Sequence, residues 1–460
     1  MNAIPTREDS ILATAALPVT DAAVEPSSFR DPGGFVFERD GTLYRQVNPR
    51  ALEGYTKLRQ SGLYDVLTGD GLLIAHTEVS LQERMTDEAQ VILQPEHIPF
   101  LTYCYEWCFG QIRDAALVTL TIQREALQRG LSLKDASAYN IQFRSGCRPV
   151  LIDTLSFEPY AEGAPWVAYR QFCQHFLAPL ALMSHTDIRL AQLLQPNLDG
   201  IPLDLAAHLL PARDRFHASL LPHIFLHSAA QRRHAADNAR SDTPPAAAGM
   251  AKNALLGLID SLESGIRSLN WRPAGTVWGS YYEGGTNYAA DAFEAKRTLT
   301  AALLEDIQPR PAFALDFGAN TGVFSRLAAE RGIETIALDT DPAAVEQCYQ
   351  ECRGSSRERL LPMVQDLMNP SPSLGWAQSE RKSLLERCAT AERRGGSVAF
   401  ALALVHHPAS PLWAPIRRAS DRRMGAQRGL AGAASAGDAR RYLRRLHARR
   451  VRTRLLQQPV

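Results

Sequence analysis

Apolar and polar positions alternate from Gly34 through Arg39 and again from Thr42 through Val47, on either side of Asp40-Gly41. Period-two alternation flanking Asp-Gly is the pattern of two strands joined by a tight hairpin, whose turn residues must take positive φ. A helix is expected over 55–61, with strand-like stretches at 72–79 and 90–93. From Pro99 to about Arg129 the apolar residues, many of them aromatic, recur at helical spacing, and helical periodicity returns at 166–182 and 187–194. The second half reads differently. Helices expected over 252–269 and 289–307 lead into four compact apolar runs, at 312–317, 335–339, 360–364 and 397–405. Runs that are apolar throughout and alternate with helical patterns are expected to be strands of a buried parallel sheet.

Two stretches carry no apolar periodicity. Residues 1–28 hold acids and Pro, and 228–250 is rich in Ala, Pro, Asp, Ser and Arg. We read the first as a disordered terminus and the second as a linker. A chain of 460 residues is long for one core. The expected organisation is therefore an α+β domain over 29–227, the linker at 228–250, an α/β domain over 251–407 and a tail over 408–460.

Composition adds little until it is divided along the chain. Hydrophobic residues at 45% and charged ones at 22% are ordinary for a soluble globular protein. The net charge of +1 hides an asymmetry: from Pro408 onward there are 13 Arg, no Lys and two acids, a net +11, which leaves −10 for the residues before it. Nucleic-acid binding is thus expected of the tail at most. The N-terminus lacks the basic start and apolar run of a signal peptide, and the apolar run at 176–183 is too short to span a bilayer. A cytoplasmic protein without a membrane span is expected. The seven Cys include no CxxC; Cys104/Cys108 and Cys348/Cys352 are i,i+4 pairs on expected helices without further ligands at suitable spacing. Buried reduced thiols, and no metal site, are the expectation. The histidines at 175–227 make no HExxH.

The chemistry concentrates where the run 312–317 reaches Asp316. Gly318 and Gly322 follow, then a helical pattern from Val323. Strand, glycine turn and helix place a loop at the carboxyl edge of a parallel sheet, where open α/β folds bind ligands. A dinucleotide fingerprint would want glycine at 318, 320 and 323, and this chain has Asn320 and Val323. Asp-x-Gly-x-x-x-Gly instead resembles motif I of the class I S-adenosylmethionine-dependent methyltransferases. The resemblance implies a Rossmann-like sheet, S-adenosyl-L-methionine as cofactor, and methyl transfer to an acceptor that the motifs do not name. It implies that Asp316, Gly318 and Gly322 line the methionyl end, with Asn320 in place of the commoner middle glycine because Asn tolerates left-handed geometry. Asp339, 17 residues past Gly322, matches the carboxylate that accepts the ribose hydroxyls, and Asp366 the acid that meets the adenine amino group. Asp341 before Pro342 fits a helix N-cap. Tyr282, Asn287 and Tyr288, next to glycines ahead of motif I, suit a lid over the cofactor and equally suit ordinary packing. His406 or His407, at the end of the fourth run, either removes a proton from the acceptor or shapes the pocket.

A second constellation lies upstream. Asp135-x4-Asn140, followed by a strand pattern and Asp153, looks like a protein-kinase catalytic loop and its metal-binding aspartate. That resemblance implies that Asp135 orients a nucleophile while Asn140 and Asp153 hold Mg²⁺ against phosphates. Leu133-Lys134 stand where His-Arg would be, Asp153-Thr-Leu replaces Asp-Phe-Gly, and no glycine-rich loop or Val-Ala-Ile-Lys strand precedes them. A kinase-like fold with degenerate chemistry is expected, with ATP-dependent phosphotransfer, or a pseudokinase, as the alternative function. The residues equally suit turn caps and a strand end.

The third and fourth runs are separated by an insertion at 369–394 with its own helical pattern, expected to help define the acceptor site. Together with the N-terminal half it resembles bacterial multi-domain methyltransferases, host-specific nodulation proteins among them. Such a sheet requires three more strands, whereas the 53 residues after His407 are Arg-, Ala-, Gly- and Pro-rich. An out-of-frame reading from about Val405 to Pro408 accounts for that composition. It leaves the fourth strand's edge unpaired, and a truncated, non-functional product as the non-enzymatic alternative.

Overall fold

The computed structural model describes residues 23–28, 31–144, 146–216, 220–226, 250–272, 290–353, 359–392, 396–402 and 433–435. The chain is a mixed α/β protein. Its first sheet is antiparallel, built from Ala23–Val24 (β1), Gly34–Arg39 (β2), Thr42–Val47 (β3), His76–Val79 (β4) and Val91–Pro95 (β5) in the order β1-β2-β3-β5-β4. β2 and β3 form the expected hairpin, and Asp40 and Gly41 turn it at φ 51° and 75°. Two small antiparallel pairs follow: Leu131–Leu133 (β6) with Phe157–Pro159 (β9), and Ile141–Arg144 (β7) with Arg148–Leu151 (β8).

The long helix begins ten residues later than its periodicity suggests, spanning Phe109–Gln128. The reason is local. Glu106 accepts the Tyr103 N–H at 3.0 Å and Gln111 accepts the Cys108 N–H at 3.0 Å, so two consecutive side-chain caps hold the chain out of the helix until Phe109. Cys104 and Cys108 therefore sit in a 3-10 turn and at a cap, and the expectation that they share one helix face is corrected.

The second sheet runs Leu360–Val364 (β12), Glu334–Asp339 (β11), Phe313–Phe317 (β10), Ser397–Phe400 (β13) and Ala433–Ser435 (β14), in that order. The first four are parallel, and all five residues of β10 are buried, as the apolar run demands. β14, from the Arg-rich tail, pairs antiparallel with β13. The expectation of an unpaired edge at the fourth strand is corrected here. The backbone of β14 pairs with that edge over three residues, Val398 with Ser435, Ala399 with Ala434 and Phe400 with Ala433.

Both halves pack on one continuous apolar cluster. Helix Lys252–Ser268, which follows the expected linker, packs against Phe109–Gln128, where Arg124 bridges Asp260 at 2.6 Å and Glu263 at 2.7 Å. Helix Pro342–Cys352, whose N-cap Asp341 accepts the Ala343 N–H at 2.9 Å, meets the start of Phe109–Gln128 closely. There Glu346 accepts the Gly110 N–H at 2.8 Å and the Tyr349 hydroxyl donates to Asp114 at 2.7 Å. A side chain at Gly110 would strike Glu346 and Tyr349 within 2.8 Å, so this contact needs glycine. Cys147 and Cys352 form a disulfide across the same seam, a correction to the expectation that every thiol is reduced. Cys104, Cys108, Cys173, Cys348 and Cys388 are buried and outside that disulfide. No helix among the described residues is long and apolar enough to cross a membrane.

Candidate functional site

The second sheet reverses its strand order at β10: the chain moves outward through β11 and β12, then returns to place β13 on β10's other side. In an open parallel sheet that reversal opens a crevice beyond the carboxyl ends of the two strands. Asp316 lies in it, with Ala337 of β11 and Phe400 of β13 as its register partners. The loop after β10 folds back over β11. Gly318 and Ala319 donate to the Leu338 carbonyl at 2.8 and 3.1 Å, and the Asn320 N–H donates to the Asp339 carboxylate at 2.8 Å. Gly318, Asn320 and Gly322 take positive φ of 73°, 52° and 81°. At Gly322 a Cβ would lie 2.5 Å from the Cys348 sulfur, so helix Val323–Ala329 starts where only glycine fits.

The acids differ in character. Asp316 is 3% exposed and accepts the Ser325 hydroxyl at 2.6 Å. Burial pushes its carboxyl up to about 6, against the pull of that hydrogen bond. Asp339 is half-buried; burial raises it too, while the N–H groups of Asp341 and Asn320 hold it down. Its two oxygens accept the backbone N–H groups of Asn320 and Asp341. An ionised carboxylate has about four acceptor positions, more than the backbone N–H groups of Asn320, Thr340 and Asp341 fill, which leaves room for a ligand hydroxyl. Asp366 is exposed beyond β12 and accepts the Met368 N–H at 2.8 Å in a turn.

Motif reading missed Lys296. It sits on helix Ala290–Asp306, its ammonium 4.9 Å from the Phe324 ring centre and 3.4 Å from the Leu402 carbonyl. Burial lowers its pKa while Asp316 raises it, so a cation and a buried acid face each other at the crevice. Nothing in the helical periodicity distinguishes Lys296 from its neighbours. Tyr282, Asn287, Tyr288, His406 and His407 lie outside the described residues.

No protein-family model matches the sequence. The nodulation protein NoeA of Rhizobium meliloti (strain 1021) is 33% identical over 384 residues, which is 83% of this chain and 78% of that protein. The chain belongs to the NoeA family. Among solved structures, vaccinia related kinase 3 aligns with 56% of this chain and 92% of its own at 10% identity, with a TM-score of 0.25, too low to carry an argument.

This NoeA-family chain has a second concavity, a cleft of about 710 Å³ lined by Asp135, Asn140 and Asp153. It is not built from the first half alone: Arg381, Lys382 and Arg387 of the insertion form part of its wall. The insertion thus reaches the upstream constellation. Arg387 makes a fully buried ion pair with Glu106, the Lys382 backbone N–H donates to the Tyr103 hydroxyl oxygen at 2.8 Å, and Arg381 stacks on Tyr139 at 4.1 Å. Arg45 on β3, which no motif signals, lies 2.8 Å from Asp153 and 3.0 Å from Asp31. Asp153 also accepts the Leu155 N–H at 3.1 Å and the Ser156 hydroxyl at 2.6 Å. Asn140 donates its amide to Ser156 at 3.4 Å. The groups that would hold a phosphate-bridging Mg²⁺ are engaged within the chain, and the donor set does not fit that ion.

Proposed function

We propose that the chain is an S-adenosylmethionine-dependent methyltransferase of class I type, acting on an acceptor still to be identified. The observation that carries this reading is the strand reversal at β10, with a left-handed glycine loop over it and Asp316, Asp339 and Asp366 at or just beyond three adjacent strand ends. The order of the four parallel strands and the spacing of the acids support it together; neither does so alone. In this reading Gly318 to Gly322 admit the methionyl part, Asp339 accepts the ribose hydroxyls, and Asp366 meets the adenine. When bound, the cofactor supplies an electrophilic methyl group for in-line transfer. The chain's share is to orient the reactants and exclude water, which is worth more to such a reaction than a strong base. The relative's role in nodulation names no acceptor, and a small molecule, glycan, lipid or protein remains compatible.

Calorimetry of the full chain with S-adenosylmethionine tests the reading. Saturable binding is expected, weakened at least tenfold by Asp339→Ala. Absence of saturable binding by the wild-type chain defeats it.

A further inference from the structure

Helix Pro342–Cys352 joins the crevice to the first half of the chain. At its start the Asp341 N–H donates to the Asp339 carboxylate at 2.9 Å. Midway along it, the Cys348 sulfur fills the space that Gly322 leaves open in the glycine loop. The helix ends at Cys352, which is bonded to Cys147 in the turn between β7 and β8, 205 positions away in the sequence. Loop, helix and first half are thus connected in series, with the disulfide as the last link.

Three features separate this bond from a fixed staple. The seam is stitched without it: Glu346 accepts the Gly110 N–H, Asp114 takes the Tyr349 hydroxyl and, at 2.7 Å, the Arg353 guanidinium, and the Gln111 amide donates to the Pro362 carbonyl at 3.1 Å. None of these contacts involves a sulfur, so reduction leaves the halves docked. The bonded turn also holds Cys147 at φ 54°, directly after Gly146 at 73°. Left-handed backbone is unfavourable for a residue with a Cβ, and a turn released from Cys352 can leave it. Finally, the other five cysteines form no disulfide. Where thiols are kept reduced, the disulfides that do form are usually transient or redox-sensing. Cys147 and Cys352 are 1% and 0% exposed, so exchange with small thiols passes through a local opening of that turn.

We propose that Cys147 and Cys352 are a reversible thiol–disulfide latch that sets how firmly the glycine loop over the crevice is held. Closing it takes an oxidant of the low-molecular-weight disulfide class, such as oxidised glutathione. One cysteine thiolate attacks a sulfur of that disulfide and expels a thiolate. The other then attacks the mixed disulfide at the protein sulfur and expels the second thiolate. The two protons lost by the cysteines end on the two released thiols, and the small disulfide is reduced by two electrons. Closed, the latch fixes the last turn of the helix, and with it Cys348 against Gly322. Open, that turn frays, and the amides of Gly318, Ala319 and Asn320, which donate to Leu338 and Asp339, exchange more readily.

The full chain is equilibrated with oxidised or with reduced glutathione, and its thiols are counted by alkylation and mass spectrometry. Hydrogen exchange and calorimetry with S-adenosylmethionine then read the two states. Reduced glutathione is expected to open the bond in the folded chain. Exchange at 318–322 should be faster in the reduced chain by about fivefold or more, and the S-adenosylmethionine Kd weaker by about threefold or more. Cys147→Ser should match the reduced chain in both buffers; should that variant fail to fold, the two states of the wild type still decide. A bond that glutathione opens only after urea has unfolded the chain, equal exchange at 318–322 in the two states, or a redox difference that persists in a folded Cys147→Ser each overturns the proposal. The affinity readout rests on the methyltransferase reading, and the exchange readout does not. Redox-dependent exchange without S-adenosylmethionine binding defeats that reading and supports the latch, whereas binding with redox-independent exchange defeats the latch alone.

Discussion

The Asn320 N–H donates to the Asp339 carboxylate at 2.8 Å, tying the glycine loop after β10 to the end of β11. One acid thus fixes the loop and retains acceptor positions for a ligand. Replacing Asp339 by Asn keeps the shape but removes the ionised acceptor. We expect Asp339→Asn to raise the Kd for S-adenosylmethionine at least tenfold, a loss of about 1.4 kcal/mol. The melting temperature should fall as well, because one amide oxygen cannot receive both the Asn320 and the Asp341 N–H, and the amide NH2 then faces the other donor. Titration calorimetry together with a thermal melt reads both, and an unchanged Kd would remove Asp339 from the site.

Asp316 makes the stability of the second sheet depend on pH. Its folded pKa of about 6 lies above the ordinary aspartate value of 3.8, so between these values the folded state holds more protons than the unfolded one. The stabilising contribution is fully present below pH 3.8 and is lost as pH rises through 6. At neutral pH the cost is about 3 kcal/mol on the scale of 1.36 kcal/mol per pKa step. Asp316→Asn should therefore gain on wild type as pH rises from 4 to 7, with the difference levelling off above about 7. Urea unfolding of both proteins across that range is the measurement, and a difference that is flat with pH would contradict the assignment.

The hairpin at Asp40-Gly41, the four parallel strands and the glycine loop were legible because each rests on local chemistry: period-two alternation, apolar runs, and residues that accept positive φ. The start of helix Phe109–Gln128 was hidden, since its periodicity continues through residues that Glu106 and Gln111 cap out of the helix. Asp135, Asn140 and Asp153 could be found by spacing, but Arg45, which occupies Asp153, could not; it lies 108 positions away on another sheet. The insertion announced itself by length. Its destination did not, because Arg387 finds Glu106 only through the packing of the two halves.

That pair is itself a test of how firmly the halves are joined. Arg387 and Glu106 are 3% and 1% exposed in their side chains, with the guanidinium also donating to the Leu101 carbonyl at 2.7 Å. Removing one partner leaves the other charged and buried, which costs about 3–5 kcal/mol. We expect Glu106→Leu to destabilise the chain by that amount in urea unfolding. Glu106→Leu with Arg387→Met should recover much of the loss, since an apolar pair needs no desolvation of charge. A double variant no more stable than Glu106→Leu would mean that the network contributes through geometry instead of charge balance.

Gly322 separates steric from conformational demands at the loop. Its φ of 81° is one an L side chain rarely adopts, and its absent Cβ leaves room for the Cys348 sulfur, which would lie 2.5 Å away. Gly322→Ala therefore meets two penalties: left-handed backbone, about 1–2 kcal/mol, and a collision that the loop must relieve by shifting. Because the same loop carries Asn320, that shift should also weaken S-adenosylmethionine binding. Cys348→Ala removes the sulfur but not the backbone demand. In a double-mutant cycle, Gly322→Ala should cost about 1–2 kcal/mol less in the Cys348→Ala background than in the wild type, read by urea unfolding. The recovered part measures the collision, and what remains measures the left-handed turn. If the two changes are additive, the sulfur plays no part in requiring glycine, and the turn alone holds the loop over Asp339.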